Sequence, residues 1–218
     1  MKDFKIVWSA RSECGPNRKK NEDTIFPPIS GSSKPPFKAA VCDGLGGHVN
    51  GDVASKIAAD TLQEEVTDLN QIITEANKNI LKYQDKNPSS LGMGTTMTAI
   101  SIDSDALMKI GHVGDSRCYV LSDRNLIKVT EDQNVPGYQN VLKQALGSNE
   151  KLNIQEVDFQ LQIGDVVFLC SDGLYNEVVG EEYIKKKMQD GISADTFVGE
   201  VLLLNPKDNV SAIVINLV

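Results

Sequence analysis

Three aspartates share one kind of neighbourhood. Asp43 ends an apolar run in AAVCDGLGG, Asp172 ends another in VVFLCSDGL, and Asp208 precedes a third in PKDNVSAIVI. A carboxylate at the end of a buried strand is held at the rim of a sheet. Three such rims brought together would make an oxygen-rich cage suited to hard divalent cations. Gly44 follows Asp43, and without a Cβ its backbone can approach a ligand closely and offer its carbonyl oxygen. Taken alone, each Asp-Gly pair is more simply a turn.

Other clusters have two readings each. Arg18-Lys19-Lys20-Asn21-Glu22-Asp23 runs into a strand at 24–26. It is either a solvated charge run or a phosphate site, with Arg18 as a bidentate fork and Glu22 and Asp23 orienting metal-bound waters. Local sequence leaves both open. Gly92-Met93-Gly94-Thr95-Thr96 reads as a turn entering a strand. Gly111 to Arg117 reads as a tight turn between strands, with Arg117 pointing to water. Of the two histidines, His48 sits in the glycine-rich loop beside Asp43 and could donate a proton to a leaving alkoxide. His112 reads as a structural strand residue.

The elements that must position these groups follow from the apolar pattern. Residues 37–42 form a buried strand. Val53, Ile57, Ala58, Leu62 and Val66 fall at helical spacing over 52–66, and a second helix spans 69–83 until Pro88. Short β-branched runs at 95–102, 106–113, 117–121 and 126–129, separated by turn residues, predict an antiparallel meander. Strands at 153–159 and 166–170, helices near 181–189 and 194–204, and a strand at 210–217 complete the chain, while 27–36 (PPISGSSKPP) is a loop. Helix pairs between runs of strands mean α+β rather than alternating β-α-β. A β-sandwich with a helix pair on each outer face buries every apolar stripe, and no linker divides the chain, so 1–218 reads as one domain.

Composition sets bounds. The 218 residues are 40% hydrophobic and 24% charged, enough for a real core. The net charge of −8 argues against nucleic acid as a partner. No apolar run reaches membrane-spanning length and the N-terminus has no signal-peptide pattern, which points to a cytoplasmic protein. Cys14, Cys42, Cys118 and Cys170 form no C-x-x-C pair and read as reduced, mostly buried thiols rather than a zinc site. P-loop, dinucleotide-binding and nucleophile-elbow motifs are absent, and no Cys sits in a phosphate-cradling loop of the C-x5-R kind. Asp103-Ser104-Asp105 superficially resembles the D-x-D nucleophile of haloacid-dehalogenase-like phosphatases, but the usual Gly-Thr is replaced by Ala106-Leu107 and a hairpin turn fits better.

In order, R-K-K-N-E-D (18–23), V-C-D-G-L-G-G-H (41–48), G-M-G-T-T (92–96), V-G-D-S-R (113–117), C-S-D-G-L (170–174) and D-N-V (208–210) resemble the motifs of the metal-dependent protein phosphatases, the type 2C or PPM family, above all its compact bacterial members. The motifs span nearly the whole chain. The resemblance implies a four-layer α-β-β-α sandwich of two mostly antiparallel sheets, and hydrolysis of phosphoserine and phosphothreonine by metal-activated water. It also implies two Mn²⁺ or Mg²⁺ ions per chain and a weak third at most. Asp43 would bridge the two ions, Gly44 would ligate one through its carbonyl, and Asp172 and Asp208 would hold the other. Arg18 would clamp the substrate phosphate, Glu22 and Asp23 would act through metal-bound water, and Asp115 would help hold the third ion. The implied partner is a phosphoprotein, a Ser/Thr kinase or its targets, met by a monomer.

Two departures stand out. Residues 131–143 are short where the family carries a longer flap, with Asp132-Gln133-Asn134 in place of D-H-S, and Asn176 replaces an acid used for the third ion. A catalytically silent module that keeps the fold for docking is the alternative of a different class. Such a module is expected to lose metal ligands, and Asp43, Gly44, Asp172, Asp208 and Arg18 are all present here.

Overall fold

Runs of strands alternate with pairs of helices along the chain. The structure is a computed structural model that describes residues 4–46, 49–176 and 180–218. In order come β1 (Ile6–Glu13), β2 (Asp23–Phe26), β3 (Gly31–Ser33), β4 (Phe37–Asp43), α1 (Gly51–Asp60) and α2 (Leu69–Lys86). Next are β5 (Met97–Ile102), β6 (Leu107–Val113), β7 (Arg117–Ser122), β8 (Asn125–Lys128), β9 (Asn134–Val135) and β10 (Tyr138–Leu142). The chain closes with β11 (Gln155–Gln160), β12 (Val166–Cys170), α3 (Asp172–Tyr175), α4 (Glu181–Gln189), α5 (Ala194–Leu202) and β13 (Val210–Leu217).

Two sheets form, with orders β3-β1-β13-β12-β7-β8 and β11-β6-β5-β4-β2, while β9 and β10 pair only with each other. Every neighbouring pair in the two large sheets is antiparallel. The central strands are apolar on both faces because both faces are covered. Along β4, Ala39 and Val41 enter the core between the sheets while Ala40 and Cys42 turn outward to α1 and α2. Along β12, Val167 and Leu169 point inward and Phe168 and Cys170 meet α4 and α5. The result is the α-β-β-α stack that the pattern predicts. Phe168 lies stacked on Phe197 of α5 at 5.3 Å between ring centroids, with both rings fully buried. Phe168→Ala would cost about 3–5 kcal/mol. Among the described residues no helix is long and apolar enough to cross a membrane.

Several local expectations are corrected. The helix expected over 52–66 stops at Asp60 and tightens into a 3₁₀ turn, Thr61–Gln63. The Thr61 hydroxyl donates to the Ala58 carbonyl at 2.6 Å, and the Lys38 ammonium takes the Glu64 and Val66 carbonyls, drawing the chain off the helix axis. The helix α5 ends at Leu202, two residues short of the expected end, because Asn205 adopts a left-handed conformation at φ +58°. The expected strand 95–102 begins at Met97, because Thr95 and Thr96 bond to Asp43 instead. The loop 27–36 contains β3, an edge strand on β1, and β1 itself was not foreseen. Three cysteines are buried and Cys14 is exposed, all as free thiols.

Candidate active site

Antiparallel pairing brings the aspartates to one rim. The end of β12 lies against the start of β13, with Cys170 opposite Ala212, so Asp172 and Asp208 flank the same edge of the six-stranded sheet. In the other sheet the end of β4 meets the start of β2, with Asp43 opposite Asp23. The chain crosses between sheets at this rim three times. The β6–β7 turn carries Asp115 across, the segment between β1 and β2 carries Arg18 and Glu22, and the segment between β8 and β11 carries the flap. A cleft of about 930 Å³ opens there, walled by Arg18, Asp43, Asp115, Asp172 and Asp208 and by the β10 end of the flap. Asp23 is buried and, like Glu22, does not line the cleft.

Each carboxylate is placed by its neighbours. The Asp43 amide donates to Thr96 Oγ1 at 3.0 Å, and its carbonyl accepts from the Thr96 amide at 2.8 Å and from Thr95 Oγ1 at 2.9 Å. This gives the G-M-G-T-T motif a job that sequence reading did not assign. The Gly44 amide donates to the Glu22 carbonyl at 3.1 Å, and a Cβ on Gly44 would lie 2.4 Å from the Gly51 oxygen. Only glycine passes there. Gly173 is as confined, since a Cβ would sit 2.0 Å from the Asn209 oxygen, and this packing draws Asp172 and Asp208 together.

Hydrogen bonds leave a distinct remainder. Asp208 accepts from the Asn209 amide at 2.8 Å and pairs with Arg18 through its other oxygen. Asp23 Oδ2 accepts from Ser211 Oγ at 2.6 Å, Asp172 Oδ2 from Asn176 at 3.0 Å, and Asp115 Oδ2 from Asn134 at 2.9 Å. Asp23 Oδ1 and Asp172 Oδ1 are buried with no partner. Burial, then mutual repulsion, pushes the carboxyls up: Asp43 well above the usual range, Asp172 to about 8 and Asp23 to about 6. Burial also raises Asp115 and Glu22.

This is a site short of positive charge. Among the described residues no group of three or more His, Cys, Asp and Glu side chains is drawn into a cation cage. The rim is open, and its fit to cations rests on the two orphaned oxygens and on an all-oxygen donor set. Mg²⁺ and Mn²⁺ accept such donors together with retained waters.

Arg18 lines the cleft. Its guanidinium is drawn onto Asp208, and Nε donates to the Lys207 carbonyl at 3.2 Å. Arg117 does not point to water. It grips Asp132 through Nε at 3.0 and 3.2 Å and Nη2 at 2.6 Å, and its guanidinium carbon lies 3.4 Å from the Tyr175 ring centroid. The Tyr175 hydroxyl donates to the Asp115 carbonyl at 2.7 Å. Sequence reading missed Tyr175, Ser211 and the Arg117–Asp132 pair, whose one visible signal was the unusual D-Q-N triplet. Asp103 lies at the opposite rim, where its carboxylate caps the β5–β6 turn by accepting from the amides of Asp105 and Leu107 at 2.9 and 3.0 Å. His112 is buried, as its strand reading requires, and His48 lies outside the described residues.

The layers and the carboxylate rim define a two-sheet sandwich built around an acidic, oxygen-lined cleft. The Protein phosphatase 2C family model matches residues 16–197, and the chain belongs to that family. It is 32% identical over 208 residues to the serine/threonine phosphatase stp of Listeria monocytogenes, a match covering 80% of this chain and 82% of that protein. The crystal structure of the Mycobacterium tuberculosis serine/threonine phosphatase PstP/Ppp superposes with a TM-score of 0.85 at 27% identity, covering 97% of this chain and 98% of that one. The catalytic domain of PstP in complex with two manganese ions superposes at 0.86 with 28% identity, over 99% and 100% of the two chains.

Proposed function

We propose that this chain is a metal-dependent protein phosphatase that removes phosphate from phosphoserine and phosphothreonine, as a single domain over 1–218 working with two Mn²⁺ or Mg²⁺ ions. The observation that carries the cation reading is the pair of buried, partnerless oxygens, Asp23 Oδ1 and Asp172 Oδ1, in a cleft whose carboxyls are held toward their protonated forms. Family membership and the relatives' phosphatase names support the reaction. The silent-module alternative has nothing in its favour, since Asp43, Gly44, Asp172 and Asp208 are all kept.

Asp43 and the Gly44 carbonyl would hold one side of the ion pair, and Asp172 and Asp208 the other. Glu22 and Asp23 would orient water around the ions, and Asp115 stands at the flap side of the cleft. When bound, two divalent ions neutralise the phosphate dianion and lower the pKa of the attacking water. The chain's own residues supply the positioning. Arg18 would turn from Asp208 to two phosphate oxygens, its planar fork holding the phosphoryl group in line with the leaving oxygen. His48 would protonate the leaving serine or threonine oxygen. The partner is a phosphoprotein, a Ser/Thr kinase or one of its targets, and the chain would meet it as a monomer in the cytoplasm.

The test is activity on p-nitrophenyl phosphate and on a phosphothreonine peptide. Both activities should vanish in EDTA, return fully with Mn²⁺ and less with Mg²⁺, and stay absent with Ca²⁺. Full activity in excess chelator would overturn the reading.

A further inference from the structure

The carboxylate oxygens of the cleft fall into two sets. Asp23 Oδ1 and Asp172 Oδ1 are buried and orphaned. Asp115 Oδ2 and Asp172 Oδ2, at the outer edge, each already hold a neutral donor: the Asn134 amide at 2.9 Å and the Asn176 amide at 3.0 Å. Inner oxygens lack what a cation would supply, and outer ones have it from an amide. Arrangement therefore adds to the loss of an acid at Asn176 as a reason that a third cation does not fit.

Asn134 is also the first residue of the flap. Three consecutive side chains at the flap root grip the β6–β7 turn. Asp132 holds Arg117 in a forked pair. The Gln133 side-chain Oε1 accepts from the Gly114 backbone N–H at 3.0 Å, beside a backbone bond from Gln133 N–H to the Gly114 carbonyl at 2.8 Å. Asn134 then donates to Asp115. Beyond that root, β9 and β10 pair only with each other. A two-stranded hairpin is marginal alone, so this root, together with the bonds of Gln144 to Gln133 and Asn153 at the hairpin's far end, decides where the flap stands. A cation taken up by Asp115 would have to displace the amide that ends this grip.

We propose that Asn134 and Asn176 are positioning residues that hold the outer edge of the cleft in place of a third cation, and that Asn134 thereby latches the flap to the metal cleft. The inference rests on reading Asp43, Asp172 and Asp208 as cation ligands. It makes flap order and outer-cation binding mutually exclusive. An aspartate at 134 would reverse the relation: it repels Asp115 when no cation is present, and shares one with it when Mn²⁺ is supplied.

The experiment combines Mn²⁺ counting by electron paramagnetic resonance with hydrogen exchange across 134–142, on the full chain with circular dichroism as the check on folding. The unmodified protein should bind two Mn²⁺ with the flap protected, and millimolar Mn²⁺ should loosen the flap. Asn134→Ser should exchange about tenfold faster there, for want of one charge-assisted hydrogen bond. Asn134→Asp should exchange faster without cation, then gain a third Mn²⁺ and regain protection together, which a merely structural lesion would not do. Asn176→Asp should gain the third Mn²⁺ without loosening the cation-free flap. Three equally tight Mn²⁺ sites in the unmodified protein, or flap exchange in Asn134→Asp equal to that of the unmodified protein, would overturn the latch alone. No bound Mn²⁺ in the unmodified protein would overturn the cleft reading and the latch with it.

Discussion

Asp23 and Asp43 stand directly opposite each other where β2 pairs with β4. Like charges in that relation destabilise a sheet. Burial, reinforced by the surrounding carboxylates, holds Asp23 up to about 6 and Asp43 well above the carboxylate range. Without cations, the rim is kept together partly by protons.

That makes apo stability fall with rising pH. Asp23 titrates near its ordinary 3.8 in the unfolded chain and near about 6 in the folded one, so only the folded state holds the proton in between. Its contribution is fully present below the unfolded value and is lost as pH rises through the folded one. In EDTA, denaturant unfolding should show the protein losing stability relative to Asp23→Asn between pH 4 and 7. A flat difference would contradict it. Saturating Mn²⁺ should abolish the trend near neutral pH.

Asp43→Ala and Asp172→Ala should each lower kcat by several orders of magnitude with the fold intact, because either change dismantles the cation pair. Asp103→Asn should leave kcat unchanged, since its carboxylate caps a turn at the far rim. An essential Asp103 beside a dispensable Asp172 would instead favour aspartyl-phosphate chemistry.

The Arg18–Asp208 pair predicts a split in the kinetics. Arg18→Ala should lower kcat/KM on a phosphopeptide by about 10- to 100-fold, with KM raised. Mn²⁺ affinity should hold or tighten, because Asp208 loses a competing cation. Arg18→Lys should recover only part of the loss, lacking the fork. Weakened Mn²⁺ binding with unchanged phosphopeptide kinetics would count against this role.

His112 spans the Thr98 hydroxyl at 2.8 Å and the Glu131 carbonyl at 3.1 Å, and burial lowers it to about 4. Its folded value lies below the ordinary 6.5, so its contribution is fully present above pH 6.5 and is lost as pH falls toward about 4. Measured against His112→Asn, the protein should lose about 3 kcal/mol over that window. A pH-independent difference would show that the imidazole takes up its proton over the same pH range folded and unfolded.

Layer order and the ligand-bearing turns were legible because strands buried on both faces read as unbroken apolar runs, and the motif aspartates sit at their ends. The strand β1 was not, because Ile6 and Ala10 face the core while Val7 and Arg11 look outward, diluting the run. The partners of the site were hidden for another reason. Ser211 supports Asp23 from 188 residues away, and Arg117 finds Asp132 only because the flap root folds back on the β6–β7 turn. Neither pairing has a local pattern. The Arg18–Asp208 contact depends on charge balance in the assembled cleft, which no spacing encodes.

The cleft draws its carboxylates from both layers of the sandwich: Asp43 hangs from one sheet, and Asp172 and Asp208 from the other. Ions held between them would fasten sheet to sheet above the apolar core, like rivets through two plates. Prising the plates apart and letting the ions go would then be a single event. The dwell time of bound Mn²⁺ would clock how often the sandwich opens, and heat inactivation would meet a barrier whose height is set by cation escape.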